Sequence, residues 1–382
     1  MKHLMITLAT FSSMIMKSHT SINNLNRVET YLGQTTLLLP PDGSSKIQVG
    51  LLFDTSNSMD GLIDQAKSRL WEIVNTLTTL KYQGKTPTIE IGLYEYGNDG
   101  LSVASDYVRQ VTSLTTDLDL ISEKLFALKT NGGSEYCGAV IQSSIKQLKW
   151  DDGANTMKLI YIAGNEGFNQ GNVHYKEVIS NALSKKIYVN TIFCGNKQEG
   201  ISLLWQDGAT RGQGKYFNID SDKKVEYIET PYDKQINACN DRLNKTYIGY
   251  GKQGYSKKQS QVTEDSNAGS ISQANTTERV ITKSKAVYKN STWDLVDNVK
   301  DDATNLDKLK AEDLPEEYKS KSKEEIKTIV MAKAKEREVV QKEIGDLAVK
   351  RQKYIVEISK QKNKQDDLGS AIKSSIISFA NV

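Results

Sequence analysis

The 382-residue sequence predicts an α/β protein: a doubly wound, mostly parallel sheet with helices on both faces, then a C-terminal α-helical, coiled-coil-like extension. Two observations predict the sheet. The apolar runs 46–53 and 159–163 each end in a turn, as strands covered on both faces do. Around them, strand-like segments alternate with segments of helical period, the order of βαβ units. A third observation predicts the extension: past Arg279 the chain becomes Lys/Glu-rich, with apolar residues on three- and four-residue steps.

The elements follow in order. The run 46–53 delivers a carboxylate, Asp54, at the end of a buried strand. A helix over 61–77 places Leu62, Ala66, Leu70, Ile73, Val74 and Leu77 on one face. Strands are expected at 88–94 and 107–111, a helix at 118–128, and another through Ala139, Ile141 and Ile145. The second apolar strand, 159–163, enters the loop Gly164-Asn165-Glu166. A helix at 173–183, a strand at 187–193, a helix at 201–208 and a strand at 214–219 complete the sheet region, which is expected to span 46–250. Segment 251–280, rich in Gly, Ser, Gln, Lys and Asn, reads as a flexible linker. The helical region is expected over 281–382, with a capping box at Ser322 and Glu325. Its register runs through Val330, Val340, Ile344, Leu347, Tyr354 and Ile358 to Leu368, Ile372 and Phe379. Lys333, Arg337, Arg351, Gln361 and Gln365 occupy core steps, and Gly345 and Gly369 interrupt it, so the seam reads as weak.

Composition bounds the function. Fifty Lys and Arg against 47 Asp and Glu leave +3, too little basic excess for a general nucleic-acid binder. Three Cys and three His exclude a zinc ribbon or a disulfide-built scaffold. No apolar run reaches the length of about 18 residues that a membrane-spanning helix needs. A basic start and the apolar residues 4–16 have the outline of a secretory signal peptide over 1–20, so the expectation is export to the periplasm or beyond. The alternative is a cytoplasmic protein.

The string Asp54-Thr55-Ser56-Asn57-Ser58 carries the chemistry. It follows a buried strand and precedes an amphipathic helix, at the edge of the sheet where ligands bind. One carboxylate and two hydroxyls suit a hard divalent cation, Mg²⁺ above all, with Mn²⁺ or Ca²⁺ as alternatives. The plainer reading is a helix start, since Asp and Ser both cap helices.

Asp54-x-Ser56-x-Ser58 behind its strand resembles the metal-ion-dependent adhesion site (MIDAS) of von Willebrand factor type A (VWA) domains. The element order over 46–250 is similar to that fold, and Trp205-x-x-Gly208-Ala209 with Gly214-x-Tyr216-x-x-Ile219 resembles its bacterial members. The resemblance implies further contacts from two loops. On the second, Gly132-Gly133-Ser134-Glu135, either Ser134 or Glu135 takes the place of the family's Thr or Asp. On the third, the family's Asp is missing, and Asn165 or Glu166 stands in its place. It also implies a binding protein, not an enzyme, whose ion accepts an Asp or Glu from a protein partner. No hydrolase string appears, and the helices leave room for self-association. The rival readings are a cytoplasmic accessory subunit of an ATPase, a metal-dependent hydrolase and a metal-free interaction domain. Cys137 and Cys194 fall on one edge of the sheet, either bridged or as two free thiols.

Overall fold

The computed structural model describes residues 27–31, 34–38, 45–82, 86–153, 155–220, 222–223, 225–359, 371–373 and 375–376. The expected signal segment lies outside them, as do Gln361, Gln365, Leu368, Gly369 and Phe379. Two strands come first, β1 (Arg27–Tyr31) and β2 (Gln34–Leu38), paired antiparallel. Then follow β3 (Lys46–Asp54), α1 (Asp60–Leu77) and β4 (Leu80–Tyr82), the last of which joins β2 in parallel.

The main sheet continues with β5 (Thr88–Tyr96), β6 (Val108–Thr115), α2 (Leu118–Ala127), α3 (Cys137–Gln147), β7 (Thr156–Gly164), α4 (Tyr175–Ser184) and β8 (Ile187–Cys194). The expected helix 201–208 is two short ones, α5 (Lys197–Ser202) and α6 (Trp205–Arg211), because Leu204 turns left-handed between them at φ 72°. With β9 (Gln213–Ile219) the strand order is β6-β5-β3-β7-β8-β9, with β6 alone antiparallel to its neighbour. The chain winds outward from β3 in both directions, which puts the topological switch between β3 and β7.

Alternation along each strand sorts the core into two layers. Val49, Leu51, Phe53, Leu159, Tyr161 and Ile192 face α1 and α2. Leu52, Tyr94, Ile160, Ile162 and Val189 face α3, α4 and Trp205 of α6. Fully burying one such side chain is worth about 1.5–3 kcal/mol, so this double covering dominates the stability of the sheet.

The region beyond the sheet departs from expectation. Segment 251–280 is not a linker but two helices, α8 (Gly251–Ile271) and α9 (Gln273–Lys283), preceded by α7 (Asp233–Asn244). The residues α8 buries are Gly254, Gln261, Glu264 and Ala268, none of them a large apolar side chain, which is why no apolar stripe announces it. Polar contacts dock it instead: Ser122 of α2 donates to Glu264 (2.5 Å), and Lys257 pairs with Asp117 (2.6 Å). Then come α10 (Leu295–Asp301), α11 (Asn305–Lys308) and α12 (Lys323–Ser359), one unbroken helix that passes through Gly345. Its start is the expected capping box, with Ser322 N–H donating to Glu325 (2.7 Å) and Glu325 N–H to Ser322 Oγ (3.2 Å).

The seam of α12 is filled from within the chain. Val340 and Ile344 join the core layer of α1, α7 and α9, and Ile326 and Val330 pack with Ile248, Leu295 and Leu306. Of the cations that seemed to interrupt it, the two arginines are anchors, while Lys333, among the described residues, pairs only with Glu336 of the same helix. Arg337 pairs with Asp294 and Asp297, both at 2.7 Å, and Arg351 pairs with Asp233 (2.7 Å) and Glu278 (2.5 Å). A further buried network ties α9 to the sheet layer: Arg279 meets Asp119 (2.7 Å) and Asp265 (2.6 Å), and lies over the Trp71 ring at 4.7 Å. Beyond α12, Ile372 and Ile376 enter the core, and Ser375 Oγ accepts from Tyr161 of β7 (3.1 Å) and donates to Asn190 of β8 (2.8 Å). Among the described residues, no helix is long and apolar enough to cross a membrane.

Candidate metal centre

Strand β3 ends at Asp54, paired in register with Tyr96 of β5, while its neighbour Phe53 pairs with Ala163 of β7. The first loop then folds back on its own acid. Ser56 N–H donates to Asp54 Oδ1 (2.8 Å), and the Ser56 and Ser58 hydroxyls lie 3.1 Å apart. Asp54, Thr55 and Ser56 are buried, whereas Ser58 opens to solvent.

The second loop is pinned directly onto the first. Asn131 N–H donates to the Thr55 carbonyl (3.0 Å), and Asn98 bridges the carbonyls of Thr55 (3.4 Å) and Lys129 (2.9 Å). Gly133 has to be glycine, since a Cβ there would meet the Gly97 carbonyl at 2.1 Å. This close approach brings the Glu135 side chain beside Asp54. Ser134 makes no hydrogen bond to the first loop among the described residues.

The third loop is held by groups beneath it. Tyr96 OH donates to the Ala163 carbonyl (3.0 Å), and Trp205 Nε1 donates to the Glu166 carbonyl (2.7 Å). Asn165 Nδ2 then reaches Ser58 Oγ at 3.1 Å, closing the ring of loops. Asp54, Ser56, Ser58, Glu135 and Asn165 thus come together, and Glu166 stands exposed at the rim. Sequence reasoning missed Tyr96, Gly97 and Asp99. Their signal was the turn Gly97-Asn98-Asp99-Gly100 directly behind a strand.

The electrostatics are those of a site short of positive charge. Burial pushes Asp54 up to about 7; its hydrogen bonds from Ser56 oppose this, and the Glu135 and Glu166 charges add to it. Glu135 is also raised, by burial and then by Glu166 and Asp99, against the pull of its hydrogen bond from Ser56. Asp54 Oδ2 is buried and accepts no hydrogen bond. A buried oxygen of this kind is costly to leave unpaired, and a cation would satisfy it. Among the described residues no three His, Cys, Asp or Glu side chains gather to hold a metal, so most donors here are hydroxyl and amide oxygens. That set fits a hard divalent cation and not a thiophilic one. Cys137 and Cys194 are buried free thiols, so the bridged alternative is not realised. Burial pushes both thiols far up.

No protein-family model matches the sequence, and no curated protein matches it. Among solved structures, the chain is similar to the conserved hypothetical protein BatB from Bacteroides thetaiotaomicron. The identity is 16%, over 46% of this chain and 90% of that one, with a TM-score of 0.36. It is similar to the SpRpn10 VWA domain at 15% identity, over 45% of this chain and 87% of that one, with a TM-score of 0.35. It is also similar to proximal thread matrix protein 1 from the mussel byssus, solved with a zinc-occupied MIDAS motif. There the identity is 12%, over 47% of this chain and 43% of that one, with a TM-score of 0.36. VWA domains are thus among its structural neighbours.

Proposed function

We propose that the chain is an exported VWA-type binding protein whose Asp54, Ser56, Ser58 and Glu135 hold a divalent cation, Mg²⁺ first, with Asn165 in the outer arrangement. Ser58 is exposed to solvent, and from that side an Asp or Glu of a protein partner would complete the coordination. One observation carries the reading: Asp54 Oδ2 is buried without a hydrogen bond at the switch point of the sheet, among oxygen donors from separate loops. Self-association through the C-terminal helices has less support, since Val330, Val340 and Ile344 are already buried against the chain's own helices.

Calorimetric titration of Mg²⁺ and Mn²⁺ into the full chain and into Asp54→Ala tests the proposal. Saturable heat is expected from the wild type alone, and equal heats from both proteins would overturn it.

The metal-free alternative has its own observation. The Asn165–Ser58 hydrogen bond by itself ties the third loop to the first. It predicts the same partner affinity in chelator as in Mg²⁺.

A further inference from the structure

Asn131-Gly132 is the sole Asn-Gly pair of the sequence. It sits in the second loop, with Asn131 exposed and no helix or strand over 131–136. Among the described residues, neither the Asn131 side chain nor the Gly132 N–H makes a hydrogen bond. The backbone on either side is held. Asn131 N–H donates to the Thr55 carbonyl (3.0 Å), and the Gly132 carbonyl accepts from Asp99 N–H (2.5 Å). The described Asp-Gly pairs are differently placed. Gly61 and Gly208 lie within α1 and α6, Gly100 N–H donates to Asn98 Oδ1 (2.8 Å), and Gly153 N–H donates to Asp151 Oδ1 (2.7 Å). Asn57, followed by the small Ser58, is fixed in the helical turn Asn57–Met59.

We propose that Asn131 is a self-modifying site, which reacts with its own backbone and water to give an isoaspartate and so recasts the second loop after folding. The Gly132 nitrogen gives up its proton to solvent and attacks Asn131 Cγ. The new C–N bond closes a succinimide ring, and the side-chain nitrogen leaves as ammonia. Water then opens the ring. Opening at the side-chain carbonyl leaves an aspartate, and opening at the main-chain carbonyl leaves an isoaspartate. Nothing is oxidised or reduced, and water is the one co-reactant. Glycine favours the attack because no Cβ crowds its nitrogen. An isoaspartate lengthens the main chain by one methylene between two clamps, the Thr55 carbonyl and the Asp99 N–H, so the loop cannot keep both bonds unchanged. It also adds a negative charge next to Asp99, whose Oδ2 would stand 3.1 Å from a Cβ on Gly132. This chemistry needs no ion and holds whether or not a cation binds above Asp54.

The test incubates the full chain in mildly alkaline buffer without metal, then maps its peptides by mass spectrometry. Methyl transfer by an isoaspartate-specific carboxyl methyltransferase counts the isoaspartate. The peptide holding Asn131 is expected to turn acidic before any other asparagine peptide, with isoaspartate in excess of aspartate. Gly132→Ala is expected to slow this at least tenfold; its Cβ would meet nothing closer than Asp99 Oδ2, the movable end of a side chain. If that variant does not fold, Asn131→Gln, whose longer side chain closes a ring far more slowly, is expected to accept no methyl groups at this peptide. An Asn131 that is still an amide when other asparagines have reacted, or that reacts only in guanidinium, would overturn the inference. So would an unchanged rate in Gly132→Ala.

Discussion

Arg337 Nη1 lies 2.7 Å from Asp294 Oδ2, its guanidinium 4.0 Å from the centre of the Tyr247 ring, and all three residues are buried. Arg337 also donates to Thr246 Oγ1 (2.9 Å) and to the Thr246 carbonyl (2.8 Å), so one side chain fastens α12 to the end of the sheet region and to α10. Arg337→Ala leaves Asp294 charged and buried, which costs about 3–5 kcal/mol. Urea unfolding followed by circular dichroism should show that loss. A change under about 1 kcal/mol would mean that the pair does not hold the helix.

The sheet region should not stand alone. Trp71 of α1 is covered by Arg279, and Asn75 of α1 donates to the Glu278 carbonyl (2.9 Å) and accepts from Thr282 (3.1 Å). Residues 46–250 expressed by themselves expose this layer, and the expected result is strong binding of a hydrophobic dye with no sharp thermal transition. A cooperative melt matching that of the full chain would show instead that the boundary near 250 is a true domain edge.

Asp265 gives the chain an acid limit. Burial alone would raise its carboxyl, but the Arg279 and Lys283 charges overcome burial and hold it well below its ordinary 3.8. A depressed carboxyl contributes stability that is complete above the unfolded value and is lost as pH falls toward the folded one. The unfolding free energy from urea titration should therefore fall steeply below about pH 4, by up to ~1.4 kcal/mol per pH unit from this group. Asp265→Asn, less stable at neutral pH, should show a shallower slope there. Parallel slopes would assign the acid limit to other carboxylates.

The three cysteines are free and buried, and the thiols of Cys137, Cys194 and Cys239 are all raised by burial. A thiol reagent should therefore label none of them in the native chain and all three in guanidinium. Rapid native labelling would place at least one thiol at the surface.

Gly97 should tolerate no side chain. Alanine there combines a left-handed φ with contacts under 3 Å to both Asp54 and Glu135. Gly97→Ala is expected to weaken Mn²⁺ binding at least tenfold while lowering the melting temperature by only a few degrees. Unaltered Mn²⁺ affinity would separate this glycine from the site.

The central sheet and Asp54 were legible in sequence because local pattern encodes them. An apolar run that ends in an acid and a turn, followed by helical spacing, has few other readings. Helix α8 was illegible for the opposite reason: Gln261 and Glu264 are buried through partners far along the chain, such as Ser122, 142 residues from Glu264. Arg351 looked like a fault in a seam, yet its partner Asp233 is 118 residues away. At the site, the choice between Ser134 and Glu135 depends on which of them faces Gly97. That is a fact of loop packing, and no spacing rule carries it.

Ser375 is stitched between Tyr161 of β7 and Asn190 of β8, two interior strands of the sheet. A reporter protein spliced immediately behind residue 376 would therefore tug on the central strands. One inserted in the exposed turn at Lys319 and Ser320 would ride outside the fold and leave the loops above Asp54 undisturbed.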